Sequence, residues 1–168
     1  QRLWPRCEKL RYCPIMTNKL DTIDHRILSA LQKDATLSVD AISDQVALSR
    51  NACWRRIKTL EATGIIRARV ALLDPQKLGC PLKVLVLIRT DHHSDTWRKD
   101  FAAVVESLPE ITSAQRMTGD LDYVLTVQLS DVAAYDLFYK RLTSRISVSD
   151  ISASFVMEDI KHTTALPL

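Results

Sequence analysis

The clearest hydrophobic pattern in the chain runs from Ser38 to Gly64, where it predicts two short helices joined by a tight turn. The first helix places apolar side chains at i, i+3 and i+7, which share one helical face. These residues are Val39, Ile42 and Val46. Ser38 is positioned as its N-cap, and Leu48 can fill the angle between the helices. This arrangement is typical of a helix-turn-helix.

The second helix repeats the apolar stripe and carries basic and amide side chains beside it. Its stripe is Cys53, Ile57 and Leu60, with Ser49 as the predicted N-cap and Gly64 as the stop signal. Arg50, Asn51, Arg55 and Lys58 fall off that stripe. A recognition helix needs exposed groups of this kind in its first turns, whereas an ordinary solvated amphipathic helix is the alternative.

Each exposed group has a defined chemistry toward duplex DNA. Arginine can form two hydrogen bonds with guanine, asparagine can do so with adenine, and lysine mainly neutralises phosphate. Trp54 is expected either to pack on the segment that follows or to contact sugar-phosphate. The predicted DNA contacts are Ser49, Arg50, Asn51, Trp54, Arg55, Lys58, Arg67 and Arg69.

The segments on either side of the motif complete a small domain. A helix capped by Asp21 is predicted, and its buried face is Ile23, Ile27, Leu28 and Leu31. After Gly64, apolar residues alternate with Arg67 and Arg69, which predicts a strand with one basic face. That strand is suited to be a wing or a hinge. The Pro- and Gly-containing stretch up to Pro81 then predicts a domain boundary.

The remainder of the chain predicts the element order β-α-β-β-α-β. The expected bounds are Leu82–Arg89, Asp95–Leu108, Ile111–Thr118, Asp122–Leu129, Asp131–Ile146 and Val148–Met157. This order is typical of a ferredoxin-like α+β domain with an antiparallel sheet and both helices on one face. The other face is left uncovered, and we expect Val86 and Val124 to form an apolar patch there. A second copy of the chain would cover it, which predicts an obligate homodimer.

Composition and charge support a two-part chain of 168 residues with net charge +3. Residues 17–80 hold 10 Lys/Arg against 7 Asp/Glu, whereas residues 81–168 hold 9 against 12. A basic N-terminal half and an acidic C-terminal half are typical of a nucleic-acid-binding domain joined to a domain of another kind. No apolar run is long enough to span a membrane, and the cysteines show no C-x-x-C pair, so a reducing cytoplasm is expected.

The predicted organisation has four parts. Residues 1–16 are a tail or a start-site extension, with a basic DNA-contacting arm as the alternative. Residues 17–65 form the helix-turn-helix domain (motif about 39–58), residues 66–81 the hinge strand and linker, and residues 82–168 the effector-binding and oligomerisation domain. No catalytic constellation, metal site or cofactor is expected, because the four His lack metal-spaced partners and the three Gly are isolated.

From Leu20 to the C-terminus the chain resembles the Lrp/AsnC, or feast/famine, transcriptional regulators. The resemblance is carried by five segments in order, Leu20–Ser38, Val46–Ile66, Ala71–Gly79, Thr118–Leu125 and Val156–Lys161. It implies a DNA-binding domain, a hinge strand and an effector domain. It also implies dimers that assemble into tetramers or octamers and bind small effectors, usually amino acids. The family usually has Gly where this chain has Ala47, so the geometry of the turn is open.

An effector site is expected around Gly119, which permits a turn with positive φ and close backbone approach. Neighbouring carboxylates can receive an ammonium group and free turn N–H groups a carboxylate. A plain hairpin turn is the alternative from the residues alone. With the resemblance, the predicted effector-binding residues are Thr118, Gly119, Asp120, Asp122 and Tyr123.

The function expected from the sequence is therefore a sequence-specific, effector-responsive transcriptional regulator that binds double-stranded DNA and is not an enzyme. Three alternatives remain. One is a nucleoid-type architectural protein with little sequence preference. Another is a thiol-responsive regulator that uses Cys53 or Cys80, and the third is an enzyme that carries a regulatory domain.

Overall fold

A computed structural model describes residues 20–168 of the chain. These residues form two compact units. The first contains the described residues up to Val70 together with Thr163–Leu168, and the second contains Ala71–His162. The predicted N-terminal tail, with Cys7 and Cys13, lies outside the described residues. No helix among residues 20–168 is long and apolar enough to cross a membrane.

The first unit is a three-helix domain, as the apolar stripes predict. Its helices are α1 (Thr22–Lys33), α2 (Val39–Val46) and α3 (Arg50–Ala62). All three are capped by the expected side chains: Asp21 forms a capping box with Asp24, Ser38 accepts from Ala41 N–H, and Ser49 accepts from Ala52 N–H. The stripes of the three helices meet in one core, formed by Ile27, Leu28, Leu31, Ile42, Val46, Cys53, Ile57 and Leu60.

The turn between α2 and α3 is made without glycine. Ala47 adopts the left-handed conformation at φ 56°, and it is the one non-glycine residue among residues 20–168 with a positive φ. Leu48 N–H donates to the Ser43 carbonyl at 3.0 Å, a bond that closes α2 in the manner of a Schellman motif. Leu48 is half-buried against the core, as expected for a residue between two helices. The substitution of the usual glycine therefore leaves the turn in place.

The second unit is the predicted ferredoxin-like domain. Its elements are β1 (Leu82–Arg89), α4 (Asp95–Ser107), β2 (Ile111–Arg116), β3 (Tyr123–Leu129), α5 (Val132–Thr143) and β4 (Asp150–Phe155). The strands are antiparallel in the order β2-β3-β1-β4, so the first strand is central. Its core contains Val84, Val86, Ile88, Trp97, Phe101, Leu108, Leu125, Val127, Leu129, Phe138, Leu142 and Ile146.

The faces of β1 differ from the prediction. Val86 is fully buried in the helix-covered core, so its placement on the open face was wrong. The apolar residues of the open face are instead Leu85 and Leu87, and Leu87 pairs across the strands with Val124. All three are half-buried in the single chain. Because the run from Val84 to Ile88 is apolar at every position, it shows no alternation from which the two faces of the strand could be distinguished.

The predicted strand after Gly64 is not formed in the single chain. Residues 67–74 are neither helix nor strand, and Val70, Leu72 and Leu73 are exposed. Alternating side chains are not sufficient for a strand, since its backbone must also find a hydrogen-bonding partner. None of the strands among the described residues pairs with this segment.

The C-terminal residues belong with the first unit, although the sequence placed them in the effector domain. The carboxamide of Gln32 on α1 both donates to the Leu166 carbonyl at 3.1 Å and accepts from Leu166 N–H at 2.6 Å. The Gln32 side chain thereby supplies both hydrogen-bond partners of the Leu166 backbone, which a neighbouring strand or turn would otherwise provide.

Candidate DNA-contacting helix and effector-site turn

The first two turns of α3 present an exposed polar surface. Arg50, Asn51 and Arg55 are all exposed, while Cys53 is buried on the opposite side. The hydroxyl of Ser49 accepts from Ala52 N–H at 3.3 Å and so satisfies one free donor of the helix N-terminus. A helix with its apolar side fixed in a domain and its N-terminal polar side free is the geometry with which helix-turn-helix proteins read a major groove.

Trp54 lies on the same surface, and its side chain is 53% exposed. This exposure does not favour the expectation that its ring packs on the following segment, and it leaves the ring free to contact sugar-phosphate. Cys53 is buried in the core, and burial raises the pKa of its thiol. A buried thiol of this kind is a poor nucleophile, which argues against Cys53 as a redox sensor.

Several cations of the predicted DNA surface are already paired with carboxylates. Arg50 Nε lies 2.9 Å from Asp40 on α2. Glu61, in the last turn of α3, contacts both Lys58 at 2.8 Å and Arg69 at 3.2 Å. Among residues 20–168, no carboxylate forms an ion pair with Arg55 or Arg67, and both residues are exposed.

Arg56 on α3 makes a structural contact that the sequence pattern does not reveal. Its guanidinium Nη1 lies 2.8 Å from Asp21 and 2.8 Å from Asp24, which form the capping box of α1. Arg56 therefore bonds α3 to the start of α1. The two carboxylates raise the pKa of the guanidinium, and Asp24 is the larger influence.

The predicted effector site lies in the turn between β2 and β3. Gly119 has φ +104°, a conformation that an L side chain rarely adopts. Met117 N–H donates to the Asp122 carbonyl at 2.8 Å, and Asp122 N–H donates to the Ile88 carbonyl at 3.0 Å. These bonds close the turn and attach it to the end of β1. Thr118, Gly119 and Asp120 are left exposed.

The end of β1 supplies two further partners to this turn. Thr90 N–H donates to the Asp122 carboxylate at 2.9 Å, and Arg89 Nε–H donates to the Asp120 carbonyl at 2.9 Å. The Asp122 carboxylate is therefore held in place by the backbone at the end of β1. Arg89 and Thr90 were not predicted, because they are about 30 residues from the turn in sequence and reach it only through the β1–β3 pairing.

Tyr123 is oriented away from the exposed part of the turn. Its ring centroid lies 4.4 Å from that of Phe101 and 5.8 Å from that of Trp97, on the helix-covered side of the sheet. The structure thus groups Asp120 and Asp122 with Arg89 and Thr90, and it places the Tyr123 ring in the aromatic part of the core. Among residues 20–168, no three His, Cys, Asp or Glu side chains are grouped as a metal site would require.

A three-helix domain with a helix-turn-helix, followed by a ferredoxin-like domain with a polar turn at one sheet end, is the architecture of a two-domain transcriptional regulator, but a fold alone does not establish a function. Two family models match the chain: a winged helix-turn-helix DNA-binding model over residues 20–67 and the Lrp/AsnC ligand-binding domain over residues 83–166. The chain belongs to the Lrp/AsnC family of transcriptional regulators.

Individual relatives agree with this membership. The chain is 48% identical to the glutamate uptake regulatory protein of Zymomonas mobilis, over 91% of this chain and 93% of that protein. It is 49% identical to an AsnC-family regulator from Agrobacterium tumefaciens, whose crystal structure superposes with a TM-score of 0.85 over 88% and 97% of the two chains. A Neisseria meningitidis regulator solved with L-methionine is 39% identical, with a TM-score of 0.84 over 88% and 96%. Such relatives are transcriptional regulators rather than enzymes.

Proposed function

We propose that this protein binds specific DNA sequences as a homodimer and that an amino acid or related metabolite modulates its DNA binding or assembly. The observation that carries the DNA-binding part is the polar surface of α3. Arg50, Asn51 and Arg55 are exposed at its N-terminal end, while its apolar side is buried in the three-helix core. In this proposal the three residues contact base edges, and Lys58, Arg67 and Arg69 contact mainly phosphate.

The experiment that tests sequence-specific binding is a comparison of two duplexes at one stated salt concentration. Footprinting on the DNA upstream of the protein's own gene selects the first, and a random-sequence duplex is the second. We expect an affinity ratio of about 10³ or more for a specific regulator. A ratio near one would favour the architectural alternative instead.

Asn51→Ala tests the role of the reading surface within the same assay. It should reduce the affinity ratio about 5- to 150-fold for each contacted base pair, which corresponds to about 1–3 kcal/mol, because a contact with adenine through two hydrogen bonds is lost. Asp44→Asn is the control, since Asp44 is an exposed residue on the neighbouring helix. If the two variants show the same affinity ratio, Asn51 does not contact the bases.

The homodimer is supported by the open face of the sheet. Leu85, Leu87 and Val124 lie side by side there, and α4 and α5 cover the other face. A twofold-symmetric dimer would present two copies of α3, which could occupy successive major grooves about one helical turn apart. Further assembly into a tetramer or octamer is proposed on the family resemblance.

The amino-acid effector is supported by the family and by the turn. The matched domain is a ligand-binding domain, and the Neisseria relative was solved with L-methionine. In this chain, Thr118, Gly119, Asp120 and Asp122 offer backbone donors and two carboxylates at the end of β1. We propose that the carboxylates take the ammonium group of the effector and that Tyr123 supports the turn from the core side.

A thermal-shift panel of the amino acids tests this part. A ligand at about 100 times its Kd stabilises the folded state by about 2.7 kcal/mol, so a true effector gives a clear shift. Asp122→Asn keeps an acceptor for Thr90 N–H but removes the charge, so it should abolish the shift and leave DNA binding intact. Asp100→Asn, an exposed substitution on α4, is the control. If the Asp122→Asn variant keeps the full thermal shift, the turn is not the effector site.

A further inference from the structure

The carboxylate of Glu61 bridges two cations of the proposed DNA surface. Its Oε2 lies 2.8 Å from Lys58 Nζ, and its Oε1 lies 3.2 Å from Arg69 Nη2. Lys58 precedes it by one turn of α3, and Arg69 follows eight residues later, beyond the end of the helix. Both carboxylate oxygens of Glu61 are therefore occupied by side chains that are expected to bind phosphate.

These ion pairs are accessible to a competing anion. The Lys58 side chain is 54% exposed, and that of Arg69 is 39% exposed. An exposed ion pair is weak, so a DNA phosphate competes with the carboxylate for either cation. The pKa of Glu61 is held below its usual value, chiefly by the hydrogen bond from Lys58, so Glu61 carries its charge at neutral pH.

Displacement does not remove the negative charge from the interface. Glu61 is fixed on α3 next to both cations, and a phosphate bound there experiences its repulsion within a few ångströms. The proposed base-reading positions lie nearer the start of α3, since Arg50 is 11 residues from Glu61, about 16 Å along the helix, and Arg55 is six residues from it, about 9 Å. The influence of Glu61 is thus strongest at Lys58 and Arg69, the cations with which it forms ion pairs.

We propose that Glu61 limits the sequence-independent part of DNA binding by competing with phosphate for Lys58 and Arg69. This inference rests on the proposed DNA-binding function and adds a residue that sets its selectivity against bulk DNA. Weak non-specific binding is useful to a regulator, because unrelated genomic sites outnumber its operators by several orders of magnitude. A carboxylate that neutralises two phosphate-binding cations keeps that background low.

The test is the salt dependence of binding to a random-sequence duplex, measured by fluorescence anisotropy with the full chain. Glu61→Gln should bind about three- to tenfold more tightly than the unsubstituted protein at low salt, because one or two more phosphates are neutralised. The slope of log K against log salt should steepen by about 0.9 for each of them. The gain should therefore fall as salt is raised.

Glu106→Gln is the matched control, because it makes the same chemical change at an exposed position on α4 in the second unit. It should leave both the affinity and the slope unchanged. A Glu61 variant that matches this control, or that binds more weakly, would overturn the proposal. Thermal unfolding of both variants tests whether either change arises from altered folding.

A double-mutant cycle tests whether Glu61 acts on DNA affinity through Lys58 and Arg69. In a Lys58→Gln background, Glu61→Gln should give a smaller gain than in the unsubstituted protein, since one of the two released cations is missing. An undiminished gain in both the Lys58→Gln and Arg69→Gln backgrounds would contradict competition at these cations. If the unsubstituted protein binds no duplex under any salt condition, the proposed function itself fails, which is a different outcome from an inert Glu61 variant.

Discussion

The guanidinium of Arg56 lies 2.8 Å from the carboxylate of Asp24, so the middle of the recognition helix is bonded to the first turn of α1. Asp24 is also the capping-box residue that accepts from Asp21 N–H. The carboxylate of Asp24 thus both caps the N-terminus of α1 and holds α3 against it. Its side chain is only 16% exposed, which makes this ion pair less screened by water than the other pairs of the domain.

Loss of this contact should destabilise the first unit. We expect Arg56→Gln to lower the free energy of unfolding by about 1 kcal/mol, since charge-assisted hydrogen bonds to a partly buried carboxylate are lost. Urea unfolding monitored by circular dichroism measures the change. Lys140→Gln, which breaks the exposed i,i+4 pair with Asp136, is the control and should cost about 0.3–0.5 kcal/mol. A smaller effect at Arg56 than at Lys140 would contradict the role assigned to it.

Acid should weaken the fold through its helix caps. The pKa of Asp21 is lowered mainly by Asp24 N–H, that of Asp34 mainly by the Thr36 hydroxyl, and that of Asp131 mainly by Ala134 N–H. A carboxyl group with a lowered pKa in the folded state stabilises that state above the usual value of 3.8. This stabilisation is lost as the pH falls below 3.8 through the lowered values.

Thermal unfolding between neutral pH and about pH 2 checks this dependence. The midpoint should be nearly constant above the usual carboxyl range and then fall. In an Asp131→Asn variant the fall should be shallower, because one of the contributing groups no longer titrates. A midpoint that rises on acidification would show the sign to be wrong.

The left-handed Ala47 gives a stabilising substitution. Ala47→Gly should raise the free energy of unfolding by about 0.5–1 kcal/mol, because the Cβ penalty of this conformation exceeds the extra chain entropy of glycine. Ala103→Gly on the exposed side of α4 is the opposite control and should destabilise by about 0.5–1 kcal/mol. Chemical denaturation measures the free energy of unfolding of both variants. If both substitutions change it in the same direction, the left-handed conformation of Ala47 is contradicted.

Oligomerisation through the open sheet face is tested by a charge at its centre. Leu87→Lys should shift the dimer toward monomer at micromolar concentration, since a lysine would be buried against the second copy. Val132→Lys is the control, because it introduces a lysine in place of an apolar residue at an exposed position of α5. Sedimentation velocity should show the monomer for the first variant alone. A stable monomer for the unsubstituted protein would exclude this interface.

The helices of the first unit could be predicted because each signal is local. Ser38 and Ser49 cap helices within three residues of themselves, and the stripes of α2 and α3 repeat within two turns. The order of elements in the second unit followed from the same kind of signal. These local patterns also located the exposed residues of α3, since any side chain off a buried stripe faces away from the core.

The contacts that could not be predicted from the sequence join residues that are far apart along the chain. Arg56 finds its carboxylates 32 and 35 residues away, and Arg89 reaches Asp120 across 31 residues. The pairing of Glu61 with Arg69 likewise required the path of the chain after α3. The segment after Gly64 is predicted as a strand but forms none in the single chain for the same reason, because a strand requires a partner that its own residues do not reveal.

The bond between Gln32 and Leu166 has a consequence for biosynthesis. A ribosome makes α1 early but makes Leu166 only after the whole second unit has been translated. The three helices can bury their shared core beforehand, since every residue of that core precedes Leu60 or is Leu60 itself. The carboxamide of Gln32, however, must remain hydrated until Leu166 has been made, so the first unit is completed only after the second unit has been translated.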